Sequence, residues 1–357
     1  MDIETKLELI RQVGEEIITE EELRHLLKTK EHPTAYDGFE PSGTDIHIAQ
    51  GILRAININR MTKAGIKFKM LVADWHAWAN NKLCGDLEKI QLVGKYLIEV
   101  WKHCGMDLKN VEFIWVSDYV KEPEYWKKVM QVARNSTVKR IIRTGQIMGR
   151  KESDVQQASQ ILYPCMQAAD IFHLEADICQ LGMDQRKVNI LARELAPSLG
   201  FSKPVVVSHH MLMGLGEPPK EQDEDRILKL KMSKTNPDKA IFMNDSEDDI
   251  RRKIAKAYCP AKITEENPIL EYSKYLIFEK FSTIEIKRHE KFGGDIVIEN
   301  YAELENLYKE GKIHPMDLKN AVAFYINEMT NPVREAFEKD DRLKKLLHTI
   351  KKFEVTR

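Results

Sequence analysis

The chain has 357 residues, and at roughly 150 residues per domain it holds about two domains, each long enough to bury a core. Hydrophobic residues make up 43% and charged ones 31%, which excludes a disordered or fibrous chain. Lys+Arg 55 against Asp+Glu 56 leaves a net charge of −1, so any nucleic-acid binding must come from local basic patches and not from a global field.

Mean hydropathy is −0.44, and apolar runs such as KMLVADWHAWA are interrupted well short of a membrane span, so no membrane partner is expected. The N-terminus, MDIETKLELIRQVGEEI, is acidic and amphipathic and has neither the basic nor the apolar region of a signal peptide, which points to the cytoplasm. Cys84, Cys104, Cys165, Cys179 and Cys259 are scattered with no C-x-x-C, so neither a disulfide framework nor a zinc site is expected.

Taken in chain order, Thr19 followed by Glu22 forms a capping box for a helix over 18–28. Short β-type runs then alternate with helical patterns. Strands are predicted at YDGF, KFKMLVAD, VEFIWVS, DICQLG and PVVVSHH, and helices at about 48–64, 88–104, 123–143, 154–173 and 184–196. This alternation predicts an α/β domain with a parallel sheet and ligands at the carboxyl ends of its strands. The stretch 217–230, with paired prolines and a charge run, reads as a mobile surface loop. After about residue 236 helical patterns dominate, with Ser246 as one N-cap, and predict a second, helical domain.

Four segments carry candidate chemistry. PSGTDIHIAQG (41–51) follows a strand and opens a helix, so its unpaired N–H groups, with His47 in the first turn, can receive an anion; an ordinary strand–turn–helix is the plainer reading. KMSKT (231–235) places Lys231 and Lys234 three apart beside hydroxyls, a pattern suited to clamping a polyphosphate but also common on solvated loops. In YPCMQAAD, Tyr163, Gln167 and Asp170 fall on one helical face, as a pocket wall or as a buried packing network, and Pro164 either kinks or begins the helix. In GMDQRK (182–187), Gly182 admits a ligand to the backbone. Asp184 there either accepts from ribose hydroxyls or caps the helix, and Gln185 lines the pocket.

In this order the four segments resemble the class I aminoacyl-tRNA synthetases, PSGTDIHIAQG being similar to their HIGH region and KMSKT to their KMSKS loop. YDGFEPSG, YPCMQAAD, GMDQRK and HPMDLKNAV are similar to archaeal and eukaryotic tyrosyl-tRNA synthetases, and the resemblance spans about 33–325. It implies a Rossmann-like catalytic domain over 1–236 with N-terminal helices and a helical insertion over about 118–160. A helical anticodon-binding domain would occupy 237–357.

By the same resemblance Tyr36 and Asp170 would bind the phenolic hydroxyl of L-tyrosine, while Tyr163, Gln167, Gln185 and Glu40 would hold its α-amino group. Gly38, His47, Gly182, Asp184, Leu212 and Met213 would surround ATP, and Lys231, Ser233 and Lys234 would meet its phosphates with Mg²⁺. Catalysis would fall to His47, Gln50, Lys231 and Lys234. Phe292 and Asp317 would read an anticodon base, and Arg140 and Arg186 would lie near the acceptor stem of tRNA(Tyr). A homodimer with its interface around 118–150 is also implied.

The implied chemistry is physically consistent. A carboxylate that attacks the α-phosphorus of ATP is already ionised, so positioning and charge stabilisation must supply most of the catalysis. A buried hydroxyl-binding pair rejects phenylalanine far more strongly than a missing methylene would be rejected, and tyrosyl-tRNA synthetases are themselves the reference example of that rule. Two departures stand out: HIAQ has Ala49 and Gln50 in place of Gly and His, and the lysine loop ends in Thr235. Phosphate contacts would come from clusters such as KRIIR (139–143) and RRK (251–253), although a solvated helix face is the plainer reading of either unless it flanks the pocket. The alternatives are a tryptophanyl enzyme and an inactive tRNA-binding relative.

Overall fold

The structure, a computed structural model, describes residues 1–149, 157–220, 226–234 and 236–355. Thr235, the acidic run 221–225 and the expected helix start at 154 lie outside the described residues.

A six-stranded sheet organises the first two thirds. Its strands are β1 (Gly14–Ile18), β2 (Thr34–Phe39), β3 (Lys67–Val72), β4 (Val111–Trp115), β5 (Ile178–Gly182) and β6 (Val205–His209), in the order β1-β6-β5-β2-β3-β4. β6, β5, β2, β3 and β4 are parallel, as the strand–helix alternation predicts. Strands β3, β5 and β6 are largely buried because helices cover both faces. The chain runs outward from β2 in one direction and resumes at β5 in the other, so the switch point lies between the carboxyl ends of β2 and β5.

β1 was not legible in the sequence. It is a short edge strand antiparallel to β6, and Glu15 and Glu16 break its apolar pattern. The 18–28 helix is observed at Glu20–Thr29 with both bonds of its capping box, Glu22 N to Thr19 Oγ1 at 3.2 Å and Thr19 N to Glu22 Oε2 at 3.3 Å. KFKMLVAD and VEFIWVS end their strands early, at Val72 and Trp115, where the helices Asp74–Ala79 and Val116–Tyr119 begin.

The expected helix 123–143 is two helices, Pro123–Arg134 and Val138–Thr144. Thr137 restarts the chain as an N-cap, its Oγ1 accepting from Arg140 N at 3.2 Å. Pro164 lies inside the helix Ala158–His173, so it does not begin it.

From 237 onward the chain is helical, as expected, with a 25-residue helix at Pro315–Lys339. It also holds a small hairpin of β7 (Ile284–Ile286) and β8 (Ile296–Ile298) that the helical periodicity did not predict. One hydrophobic cluster runs from Leu7 through Phe68 and Trp101 to Tyr272 and Ile350, continuous across residue 236. A second joins Tyr36, Tyr119, Tyr125 and Tyr163 to Val188 and Leu191 beside the site. Among the described residues no helix is long and apolar enough to cross a membrane.

Candidate active site

A cavity of about 270 Å³ opens at the switch point. Tyr36, Gly38 and Glu40 reach it from the end of β2, and Gly182, Asp184 and Gln185 from the end of β5. His47 and Gln50 come from the helix after β2, Leu212 from the segment after β6, Lys231 from the lysine segment, and Tyr163, Gln167 and Asp170 from one face of Ala158–His173. Thirteen residues from six separate segments thus meet at one cavity.

The deep end is aromatic and carboxylic. Tyr36 and Asp170 are both fully buried. Tyr119 donates its hydroxyl to Asp170 Oδ1 at 2.8 Å, and His76 Nε2 lies 3.0 Å from Asp170 Oδ2 without forming a hydrogen bond to it. His76 also meets the Tyr163 ring edge-on at 4.9 Å. Burial, followed by the nearby Asp170 carboxyl, pushes the Tyr36 phenol well above its ordinary range, so it stays protonated. Gln167 Nε2 donates to Gln185 Oε1 at 3.1 Å, Gln185 Nε2 donates to the Ile147 carbonyl at 3.1 Å, and Gln167 Oε1 is left buried without a partner. Glu40 accepts from Asn80 Nδ2 at 2.9 Å, and burial raises its carboxyl.

The outer end is cationic. Burial, then the Lys234 and Lys231 charges, holds His47 well below the usual histidine range, so its ring is neutral. Its Nδ1 accepts from Gln50 N at 3.3 Å, which leaves Nε2–H as a donor. The first turn of its helix, Ala49–Leu53, is a π-turn, followed by an α-helix at Arg54–Lys63. The Gln50 carbonyl accepts from Trp101 Nε1 at 2.8 Å, and Trp101 is itself fully buried, so this irregular turn is held from behind.

Lys231 Nζ sits 2.6 Å from Asp184 Oδ2. Asp184 therefore ion-pairs and does not cap its helix; a 3₁₀ turn at Met183–Gln185 intervenes before Arg186–Leu199. A β-carbon on Gly182 would lie 2.4 Å from Met211 Sδ and 2.7 Å from Asp184 Oδ1, so any larger residue would displace these side chains.

Lys234 and Ser233 border neighbouring hollows, because the lysine segment folds back antiparallel on Met213 and successive side chains diverge. Lys234 lies over Gly43, where a β-carbon would come within 3.3 Å of its Cδ. Met213 is buried beside the cavity and does not line it. Arg140 and Arg186 do not line the cavity and pair with Glu194 and Glu16. Phe292 is 63% exposed on the turn Glu290–Phe292, and Asp317 sits in the first turn of Pro315–Lys339.

Further lining residues that were not singled out in the sequence include Asp37, Arg54, His76, His209 and His210, and Tyr119 stands just behind the wall. Arg54 carried a signal, since it follows His47 by seven and Gln50 by four on one helical face. Its Nε is 2.8 Å from Asp37 Oδ2, and burial outweighs this pairing to raise Asp37 to about 6. Burial lowers His209 to about 3.

A sheet with its ligand cleft at the switch point, a histidine-bearing helix start and a lysine segment define the class I synthetase architecture. The chain belongs to that family: the model described as tRNA synthetases class I (W and Y) matches residues 28–331. It is 49% identical over its whole length to a protein named Tyrosine–tRNA ligase 1, cytoplasmic, of Arabidopsis thaliana, covering 90% of it. It is 42% identical to the tyrosine–tRNA ligase of Thermococcus kodakarensis, over 98% of this chain and 99% of that one. The crystal structure of the tyrosyl-tRNA synthetase of Pyrococcus horikoshii, complexed with L-tyrosine, superposes with a TM-score of 0.91 at 39% identity, covering 98% of this chain and 100% of that one.

Proposed function

We propose that this chain is a tyrosine–tRNA ligase. The tyrosine carboxylate attacks the α-phosphorus of ATP to give tyrosyl-adenylate and pyrophosphate. A terminal ribose hydroxyl of tRNA(Tyr) then takes the tyrosyl group and releases AMP. The observation that carries this reading is the fully buried pair Tyr36 and Asp170 at the deep end of the cavity. A phenol both donates and accepts, and this pair offers an acceptor carboxyl and a donor hydroxyl; an indole N–H satisfies only the first.

Gln167, Gln185, Tyr163 and Glu40, all lining the cavity, suit an ammonium group. His47, Gln50 and Gly182 line its outer half, where ATP would lie, and Mg²⁺ arrives on the phosphates as part of the substrate. Asp184 must release Lys231 when the phosphates enter, which frees its carboxylate for the ribose. Phe292, exposed and apolar, can stack on an unstacked anticodon base, with Asp317 as an acceptor, which supports reading 237–357 as the anticodon-binding part.

Tyrosine-dependent ATP–pyrophosphate exchange tests the reading, with tryptophan and phenylalanine at equal concentration. Strong exchange with tyrosine alone is expected, and exchange with tryptophan in its place would transfer the assignment to the sister enzyme. Phe292→Ala should lower charging of tRNA while sparing this tRNA-independent exchange.

A homodimer is the second part of the proposal. Met130, Val138 and Leu162 are large, apolar and 40–66% exposed, and their three helices pack together within or beside the expected interface. Sedimentation should give twice the chain mass, and a monomer at micromolar concentration would refute it. The cytoplasmic setting rests on the name of the Arabidopsis relative, and cell fractionation checks it.

A further inference from the structure

Residues 212–214 lead away from the cavity wall at Leu212 in a bridge antiparallel to the lysine segment, so their backbone polar groups point alternately to opposite sides. On one side Leu212 O accepts from Met232 N at 2.7 Å, and Gly214 N donates to Leu230 O at 2.9 Å. These two bonds bracket Lys231. On the other side Met213 N donates to Glu271 Oε1 at 2.7 Å, and Met213 O accepts from Tyr272 Oη at 2.7 Å. Glu271 and Tyr272 are consecutive residues of the helix Pro268–Tyr272, in the part of the chain beyond the sheet.

The grip is anchored in turn. Glu271 Oε1 is also 2.9 Å from His210 Nε2, whose Nδ1 lies 3.1 Å from Glu15 Oε2. His210 stacks on Tyr275 with centroids 4.4 Å apart. Burial opposes charge on His210, but the two carboxylates outweigh it and push the imidazole up to about 9, so it is a cation at neutral pH. Tyr272 is fully buried. Residue 215 continues the pattern, Leu215 N donating to Lys239 O at 2.9 Å and Leu215 O accepting from Tyr258 N at 2.8 Å.

We propose that Glu271 and Tyr272 are positioning residues for the adenylation step. They hold the 212–214 strut and, through its opposite edge, set the place of Lys231. The inference rests on the function proposed above, and it makes the C-terminal part of the chain a determinant of phosphate handling without any contact to the nucleotide. Without Glu271 the buried Met213 N–H loses its only described partner, and the far side of residue 213 is held by the Tyr272 bond to its carbonyl alone. The lysine segment then pairs with a less firmly held wall, while the tyrosine end of the cavity, built on β2, β5 and Ala158–His173, is untouched.

The test compares Glu271→Ala, Glu271→Gln and Tyr272→Phe in the full chain by single-turnover adenylate formation and by amide hydrogen exchange. Glu271→Ala should slow adenylate formation about tenfold, with the KM for tyrosine within about twofold of wild type. Amides of Gly214 and Met232 should exchange faster, and those of β5 should not. Glu271→Gln keeps an acceptor for Met213 N–H and should recover most of the rate. Tyr272→Phe keeps the buried ring and carries the test if Glu271→Ala does not fold. Wild-type rates and unchanged protection of Gly214 and Met232 in Tyr272→Phe would overturn the proposal, as would equal losses in the rate and in tyrosine affinity. A wild-type chain that forms no adenylate would instead overturn the assigned function, and the exchange measurements would still decide whether the strut exists.

Discussion

Replacing Asp170 by alanine is expected to lower kcat/KM for tyrosine about 100-fold, mostly through KM, and to erase much of the preference over phenylalanine. A hydrogen bond to a charged or strongly polar buried group contributes about 1.5–3 kcal/mol, and each 1.36 kcal/mol is a factor of ten. Asp170 is wholly buried, its Oδ2 has no hydrogen-bond donor, and its Oδ1 is held by Tyr119. A substrate hydroxyl would supply the missing donor. Phenylalanine never makes that bond, so its kcat/KM should change little in the variant. The ratio of the two specificity constants is therefore the measurement. If both constants fell together, Asp170 would be a packing residue and the phenol assignment would be lost.

Lys234→Ala should slow adenylate formation by on the order of 100-fold, the loss seen when one preorganised charge-stabilising donor is removed, while tyrosine binding changes little. Equal losses in rate and in tyrosine affinity would contradict a role confined to the transition state. The same lysine sets a pH limit. Its burial holds the ammonium down to about 8, against the favourable carboxylates of Asp45 and Glu40. The charged form exists below that value and is lost as pH rises through it. Accordingly kcat/KM for ATP, which reports the free enzyme, should fall above pH about 8. Arginine keeps its charge throughout this range, so Lys234→Arg should move the falling limb upward even if its absolute rate is lower. His47, already neutral, should contribute no acid limb near pH 6.

Much of the site was readable because its chemistry is concentrated in short segments. Tyr163, Gln167 and Asp170 lie on one helical face by spacing alone, and all three line the cavity. The helix start at His47 and the lysine pair were legible for the same reason: each is a local pattern with a local geometric consequence. What spacing left open was how such segments face one another. Asp184, equally suited on paper to capping a helix or to meeting a ligand, became an ion-pair partner because the chain returns through β6 and brings Lys231 within 2.6 Å. Gln50, the departure in HIAQ, lines the cavity, and its side-chain oxygen is buried without a partner.

The misread elements have related causes. β1 was hidden by two glutamates whose partners, His210 and Arg186, lie nearly two hundred residues away. The break at Ser136 and Thr137 shows weakly in a periodicity that resumes in nearly the same phase. The β7–β8 hairpin has only three residues per strand, too few to establish a period of two.

The sequence by itself determined the class of fold, the family, and thirteen of the residues gathered at the cavity, because strand and helix periods, capping residues and motif chemistry are properties of neighbouring residues. Only the tertiary structure decided which groups touch. It brought Tyr119 to Asp170 and Glu271 to Met213, contacts that no local period encodes. It also placed the lysine segment against a strut held from the far side. Those contacts depend on strand order and on the loops that close it, and the energetics of burying a polar group then select which of them persist.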